Sequence, residues 1–301
     1  MPAVRTLLLT GTTPFFKLLQ QLGFALPRDG DYYGFALALG APDVTLLQLT
    51  NAYRSLANGG RYSASSLTAA KPLFHNTAIS PAAAWLTADI LSDRAARSIT
   101  FGLENPLATR FWSAVKTGTS KDMRDNWCIG FSRRYSVGVW VGNFNGEPMW
   151  DVSGVTGAAP AWLEIINRLH ANLPSLPPPM EKGLLTQVIR YLPAVEAARR
   201  ETFISGTQQA VWQVSDSSAN PIRYPGNGEI IALDPDIPLL RQVVWFNAQA
   251  PGEWWLDGVK LGRGEALRWQ PEAGRHLLRW QALSGADSGQ VRFEVRAAGV
   301  H

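Results

Sequence analysis

Apolar residues recur along this chain with two different periods. In the first half much of the spacing is helical. Trp162, Ile165, Ile166 and Leu169 fall on one face of a helix predicted over 159–170. Residues 14–24 and 44–53 carry further helix-like runs. Ser80-Pro81 opens a helix continuing over 82–91, because serine can cap and proline suits the first turn. Asn58-Gly59-Gly60 closes another. Between these lie aromatic and β-branched runs at 111–115, 127–131 and 135–143, which predict strands. The last two are joined by a tight turn at Ser132-Arg133-Arg134.

From residue 201 the pattern changes. Short alternating segments stand at 210–214, 229–232, 242–247, 254–256, 267–269, 276–281 and 291–296. Turn signals separate them at Pro225-Gly226-Asn227-Gly228, Asp257-Gly258 and Ala273-Gly274. Such spacing predicts an all-β, antiparallel, immunoglobulin-like sandwich. Pro174 and Pro177-Pro178-Pro179 mark a stiff linker, and 181–200 reads as a connecting module. The expected organisation is an α+β domain over 1–173, a connector over 174–200 and the sandwich over 201–301.

Composition removes several function classes. A net charge of +4, with no polybasic run, offers no nucleic-acid tract. The single cysteine, Cys128, precludes an internal disulfide; its place in an apolar strand predicts a buried, inert thiol. No stretch is apolar and long enough to span a bilayer, and Leu7-Leu8-Leu9 is too brief for a signal-peptide core. Six tryptophans, 212, 245, 254, 255, 269 and 280, crowd the C-terminal part. They are expected mainly to fill a small core, with an aromatic carbohydrate platform as the alternative. Asp234 and Asp236 flank Pro235, but two carboxylates without further oxygen ligands make a weak cation site.

The candidate chemistry lies in Lys116-Thr117-Gly118-Thr119-Ser120. Lys-Thr-Gly is short enough to recur by chance, so its surroundings decide its meaning. An edge strand here offers unpaired backbone groups to an extended substrate. Lys116 would bring an ammonium, and Thr117 and Thr119 would place hydroxyls on one face to hold a carboxylate. The Thr119 N–H could serve a developing oxyanion. Gly118 would let neighbouring structure pack closely. Strict alternation puts Lys116 on the face of Gly118, so the lysine must reach round the edge.

The order KTGT, charged loop, Asp125-Asn126-Trp127-Cys128-Ile129-Gly130-Phe131, hairpin, then Gly138-Val139-Trp140-Val141-Gly142-Asn143 resembles the last three strands of the transpeptidase domain of class A penicillin-binding proteins. Upstream, Pro2-Ala3-Val4, Leu39-Gly40 and 44–53 fit the same family. The stretches 222–228 and 232–238, with "WxLDG" at 254–258 and "PxxGxH" at 271–276, resemble the C-terminal domain of the 1C type. The resemblance implies helices packed on an antiparallel sheet, and D,D-transpeptidation of cell-wall stem peptides. It also implies penicillin binding, and a separate glycosyltransferase domain that polymerises glycan. It implies no metal or cofactor. The implied ligands are the stem peptide or a β-lactam, with a cell-wall or periplasmic protein partner for the C-terminal domain. The implied setting is the periplasm, anchored in the inner membrane; the chain expressed from Met1 alone is expected to stay in the cytoplasm.

Two of the family's three motifs have no counterpart here. The Asn of Ser-x-Asn would fall just before Met1, and the Ser-x-x-Lys nucleophile further upstream. Ser113-Ala114-Val115-Lys116 imitates the latter, but it reads as strand, whereas the motif needs one helical turn to bring serine and lysine together. Ser218-Ala219-Asn220 imitates the former in a polar loop of the other domain. His75, read in a loop, and His170, at a helix end, are expected to be structural. No nucleophile is therefore assigned, and the chain alone is expected to be inactive in acyl transfer. The alternative from another class is a non-catalytic cell-wall or partner-protein binding module acting through the β-domain.

Overall fold

The structure, a computed structural model, describes residues 2–68, 74–102, 104–192, 194, 196–213, 220–233, 239–285 and 287–296. Ser218, Ala219, Asp234 and Asp236 lie outside the described residues.

The helices are α1 (Pro2–Thr10), α2 (Thr12–Gln21), α3 (Gly30–Tyr33), α4 (Leu46–Ala57), α5 (Pro81–Ser92), α6 (Arg94–Phe101) and α7 (Ala159–Leu169). The first strands are β1 (Arg61–Ser63), β2 (Phe74–Thr77), β3 (Ala114–Thr119), β4 (Asp125–Phe131) and β5 (Ser136–Gly142). Next come β6 (Leu184–Leu192), β7 (Arg199–Ile204), β8 (Val211–Gln213), β9 (Ile222–Tyr224) and β10 (Glu229–Ala232). The chain closes with β11 (Val244–Leu256), β12 (Val259–Trp269), β13 (Gly274–Ala282) and β14 (Ser288–Arg296). His75 belongs to β2, where a loop was expected.

Local chemistry explains the helix starts. Ser80 accepts the Ala83 N–H, with Pro81 in the first turn of α5. Thr45 and Gln48 cap α4 reciprocally. The α4 helix ends at Asn58, and the Gly60 N–H returns to the Ser55 carbonyl.

The chain divides into two compact units. One comprises 18–25 and 44–212, the other 1–17, 26–43 and 213–301. The division departs from the expected boundaries in two places. The connector over 181–200 forms strands: β6 pairs with β7 and β8 in a three-stranded sheet, so a boundary at 201 would cut through β7. The N-terminal residues group with the C-terminal β-domain. There α1 buries Leu7 and Leu8, packs on the 34–39 turn and on β10, and offers its Leu8 carbonyl to Arg296.

In the first unit the sheet β3-β4-β5 is antiparallel, with Lys116 opposite Ile129 and Trp127 opposite Trp140. One face carries Val115, Cys128 and Val137 against Trp162 and Ile166 of α7. Gly130 makes this possible: a Cβ there would meet the Trp162 ring at 2.5 Å. The helix stripe is narrower than its periodicity predicts. Trp162 and Ile166 are fully buried, whereas Ile165 and Leu169 are 43% and 40% exposed. The other face carries Ala114 and Phe131 against Ala88, Tyr53 and Leu56.

In the second unit the described strands form one continuous six-stranded sheet, ordered β10-β14-β13-β11-β12 with β9 paired to β11. The two short segments expected at 242–247 and 254–256 are one strand. A register shift between Asn247 and Gly252 lets β11 pair with β9 at one end and β13 at the other. The β10–β14 pairing is parallel, a departure from the all-antiparallel expectation. Phe246, Trp254, Leu278, Trp280 and Phe293 fill the core; of the six tryptophans expected mainly to be buried, only 254 and 280 are, while Trp269 packs on the core half-buried and Trp212 and Trp245 are exposed.

Candidate functional site

β3 is an edge strand, and its register determines what the edge offers. The Ser120 N–H donates to the Asp125 carbonyl at 2.9 Å, and Thr119 stands opposite Asn126. Hydrogen-bonded and non-hydrogen-bonded pairs alternate in an antiparallel ladder. The N–H and C=O of Val115, Thr117 and Thr119 therefore turn away from β4, toward the open edge. Among the described residues no strand pairs with that edge.

Lys116 is exposed and emerges from the face it shares with Ala114 and Gly118. Its Nζ bends back to donate to the Thr117 carbonyl at 2.6 Å. The lysine thus does reach round the edge, as alternation requires. Its ammonium lies at the same open edge as the Thr117 and Thr119 backbone groups.

Thr119 lies on the opposite face. Its hydroxyl oxygen accepts the Gly154 N–H at 3.0 Å, which leaves its own proton free to donate. The close packing expected at Gly118 is made instead at Gly154. A Cβ on Gly118 would meet Trp127 only at 3.7 Å, an ordinary contact. A Cβ on Gly154 would stand 2.6 Å from the Gly118 carbonyl oxygen and 2.7 Å from that of Trp127. Gly154 opens a π-turn over 154–158, capped reciprocally by Ser153 and Thr156, that leads into α7.

The turn after KTGT is tied down by a residue whose role the sequence did not suggest. The Asp125 carboxylate accepts from the Ser120 hydroxyl at 3.0 Å and the Trp140 indole N–H at 2.9 Å, while its N–H donates to the Ser120 oxygen at 2.9 Å. The "DxW" string carried the signal without a stated function. Gly154 carried no sequence signal.

Two buried groups lie behind the strand. Burial pushes the Cys128 thiol up to about 12, against the opposing fields of Lys116 and Arg97. Burial likewise holds the Tyr53 hydroxyl at about 12. Both are neutral over the physiological range. Ser113 is buried and hydrogen-bonded to Thr109 at 2.9 Å. Strand alternation sends it to the face opposite Lys116, so these two do not form a nucleophile–base pair. His170 is also buried, held between the Ser132 hydroxyl at 2.8 Å and the Leu173 carbonyl at 2.7 Å. It anchors the β4–β5 turn.

Comparison with known proteins shows what the chain resembles. The sequence profile of the Penicillin-Binding Protein C-terminus Family matches residues 213–293. Penicillin-binding protein 1C of Escherichia coli is 28% identical over 274 residues, covering 85% of this chain and 34% of the relative. The chain is similar to penicillin-binding proteins of the 1C type. It spans about a third of the length of that 1C relative. Penicillin-binding protein 2D of Bacillus subtilis is 28% identical over 185 residues, covering 54% of this chain and 25% of its own length. The crystal structure of penicillin-binding protein 1A from Haemophilus influenzae superposes with a TM-score of 0.53 at 23% identity, covering 68% of this chain and 38% of that one. This last likeness supports the mixed helix-and-sheet fold of the transpeptidase type.

Proposed function

We propose that this chain supplies the substrate-holding strand of a D,D-transpeptidase site in peptidoglycan synthesis. The serine nucleophile, on Ser-x-x-Lys, and the Ser-x-Asn motif would come from polypeptide outside this sequence. Glycan polymerisation would belong to a further domain outside it as well. The site would face the periplasm in the whole protein. The observation that carries the reading is the open β3 edge, with the Lys116 ammonium folded onto it.

The roles follow from that geometry. A stem peptide laid along β3 in extended form pairs with the outward N–H and C=O of Thr117 and Thr119. Lys116 and the Thr117 and Thr119 hydroxyls hold its terminal carboxylate. As a serine adds to the scissile carbonyl, negative charge grows on the carbonyl oxygen, and the Thr119 N–H stabilises it. The amine then leaves and a second amine takes the acyl group. Gly118 contributes backbone only, pressed under Gly154.

The test is binding of a short peptide ending in D-Ala-D-Ala, followed by amide NMR. Shifts concentrated at Val115, Thr117 and Thr119, and lost in K116A, are expected. Shifts elsewhere, with β3 silent, would sink the reading. A fluorescent penicillin is expected to leave no covalent adduct on this chain alone; a stable adduct would refute the placement of the nucleophile.

A further inference from the structure

We propose that the outer face of the C-terminal sheet, centred on Trp255, binds an oligosaccharide that carries an acidic group. The proposal rests on residues separate from the KTG strand and stands whether or not that strand holds a peptide.

Strand parity sorts the tryptophans. Along β11 the even positions, Phe246, Trp254 and Leu256, point into the core. The odd positions point out, and Trp255 lies half-buried on the outer face. Register builds a row through it across four strands. Trp255 stands opposite Lys260 on β12 and opposite Arg279 on β13, and Arg279 stands opposite Gln290 on β14. Beside this row lies a groove of about 400 Å³, lined by Trp255, Arg279, Gln281, Ser288 and Gln290.

The chemistry of that lining selects the ligand. An indole laid on a sheet face offers a flat apolar surface, and a pyranose offers a matching face of C–H groups. Gln281, Ser288 and Gln290 each donate and accept, as a ring of hydroxyls demands. The two central strands of the row, β11 at Trp255 and β13 at Arg279, are paired on both sides, so the backbone beneath the indole is not free to add a peptide strand. The charges are unequal in availability. Lys260 and Arg263 both bind Glu253, at 2.8 and 2.6 Å, and the Lys260 ammonium rests 5.6 Å from the Trp255 ring centre. That contact steadies the ring. Among the described residues no carboxylate pairs with Arg279. A guanidinium with no carboxylate partner among the described residues, one strand away from the indole, is suited to a carboxylate or similar anion on the sugar.

The test uses calorimetry on the full chain with two probes, a hyaluronan tetrasaccharide and the neutral chitotetraose. Both contain N-acetylglucosamine, and only the first carries carboxylates. The chain is expected to prefer hyaluronan. W255A should weaken both sugars by about tenfold or more. R279Q, a surface change that should leave the fold intact, should bring hyaluronan down to the level of chitotetraose and leave chitotetraose unchanged. Absence of sugar binding, equal affinity for the two probes, or binding unaffected by either variant would each overturn the proposal.

Discussion

Substituting Gly154 by alanine tests the packing that shapes the KTG strand. The new methyl carbon would sit 2.6 Å from the Gly118 carbonyl oxygen, 2.7 Å from that of Trp127 and 3.1 Å from the Gly118 nitrogen. All three are backbone atoms of paired strands, so none can rotate aside as a side chain could. Either β3 and β4 shift together or the 154–158 turn lifts off them. Overpacking of this kind costs about 1–3 kcal/mol. Lifting the turn also breaks the Gly154 N–H bond to the Thr119 hydroxyl, worth about 1 kcal/mol. The expected loss is therefore about 2–4 kcal/mol. Gly118→Ala is the control, because its methyl carbon meets Trp127 at 3.7 Å and should cost under about 1 kcal/mol. Native-state amide exchange across β3 and β4 measures both, since it reads the local opening free energy of these strands. If G154A and G118A lose protection equally, the close approach has been assigned to the wrong glycine.

Two predictions concern pH. The Cys128 thiol is raised from 9.0 to about 12 in the folded chain, so the folded state keeps its proton where the unfolded state loses it. The resulting stability is complete below pH 9.0 and drains away as pH rises toward 12. C128A should show a shallower alkaline loss in urea titrations between those limits, and an unchanged slope would refute the assignment. At the Asp257 carboxyl, desolvation pushes upward but is outweighed by the bonds from His276 and the Leu277 N–H, leaving it below the usual range. Its contribution is present above the unfolded value of 3.8 and disappears as pH falls through the folded one. D257N keeps a residue tolerant of the φ of 51° found there. It should destabilise the C-terminal sheet at pH 7 and converge with the parent once pH falls below the lowered folded value, as followed by thermal unfolding.

The elements legible from sequence were those whose cause is local. Ser80-Pro81, the apolar run at 127–131 and the Asn58-Gly59-Gly60 stop each act within a few residues, and the structure has α5, β4 and the end of α4 there. The misreadings share a non-local cause. The segments expected at 242–247 and 254–256 leave Pro251 and Gly252 in a gap between two short strands. They lie instead inside β11, where the strand shifts register and changes partner from β9 to β13. That exchange depends on chain far from residue 251. The same holds for 181–200, whose strands are ambiguous alone and become a sheet through the pairing of β6 with β7 and β8.

At the candidate site the residue types of the motif were legible, and their support was not. Lys116, Thr117 and Thr119 could be named because a carboxylate-holding edge needs a cation and hydroxyls at that spacing. What fixes them comes from elsewhere in the chain: Gly154 presses on Gly118, and Asp125 ties Ser120 to Trp140. Alternation alone separates Lys116 from the threonines. The length of the lysine side chain reverses that result, because Nζ can travel round an edge that has no neighbouring strand to block it. The open edge is thus the cause of the site as well as its location. Paired to another strand, β3 would lose its outward N–H groups, and the path by which Lys116 reaches the Thr117 carbonyl would close.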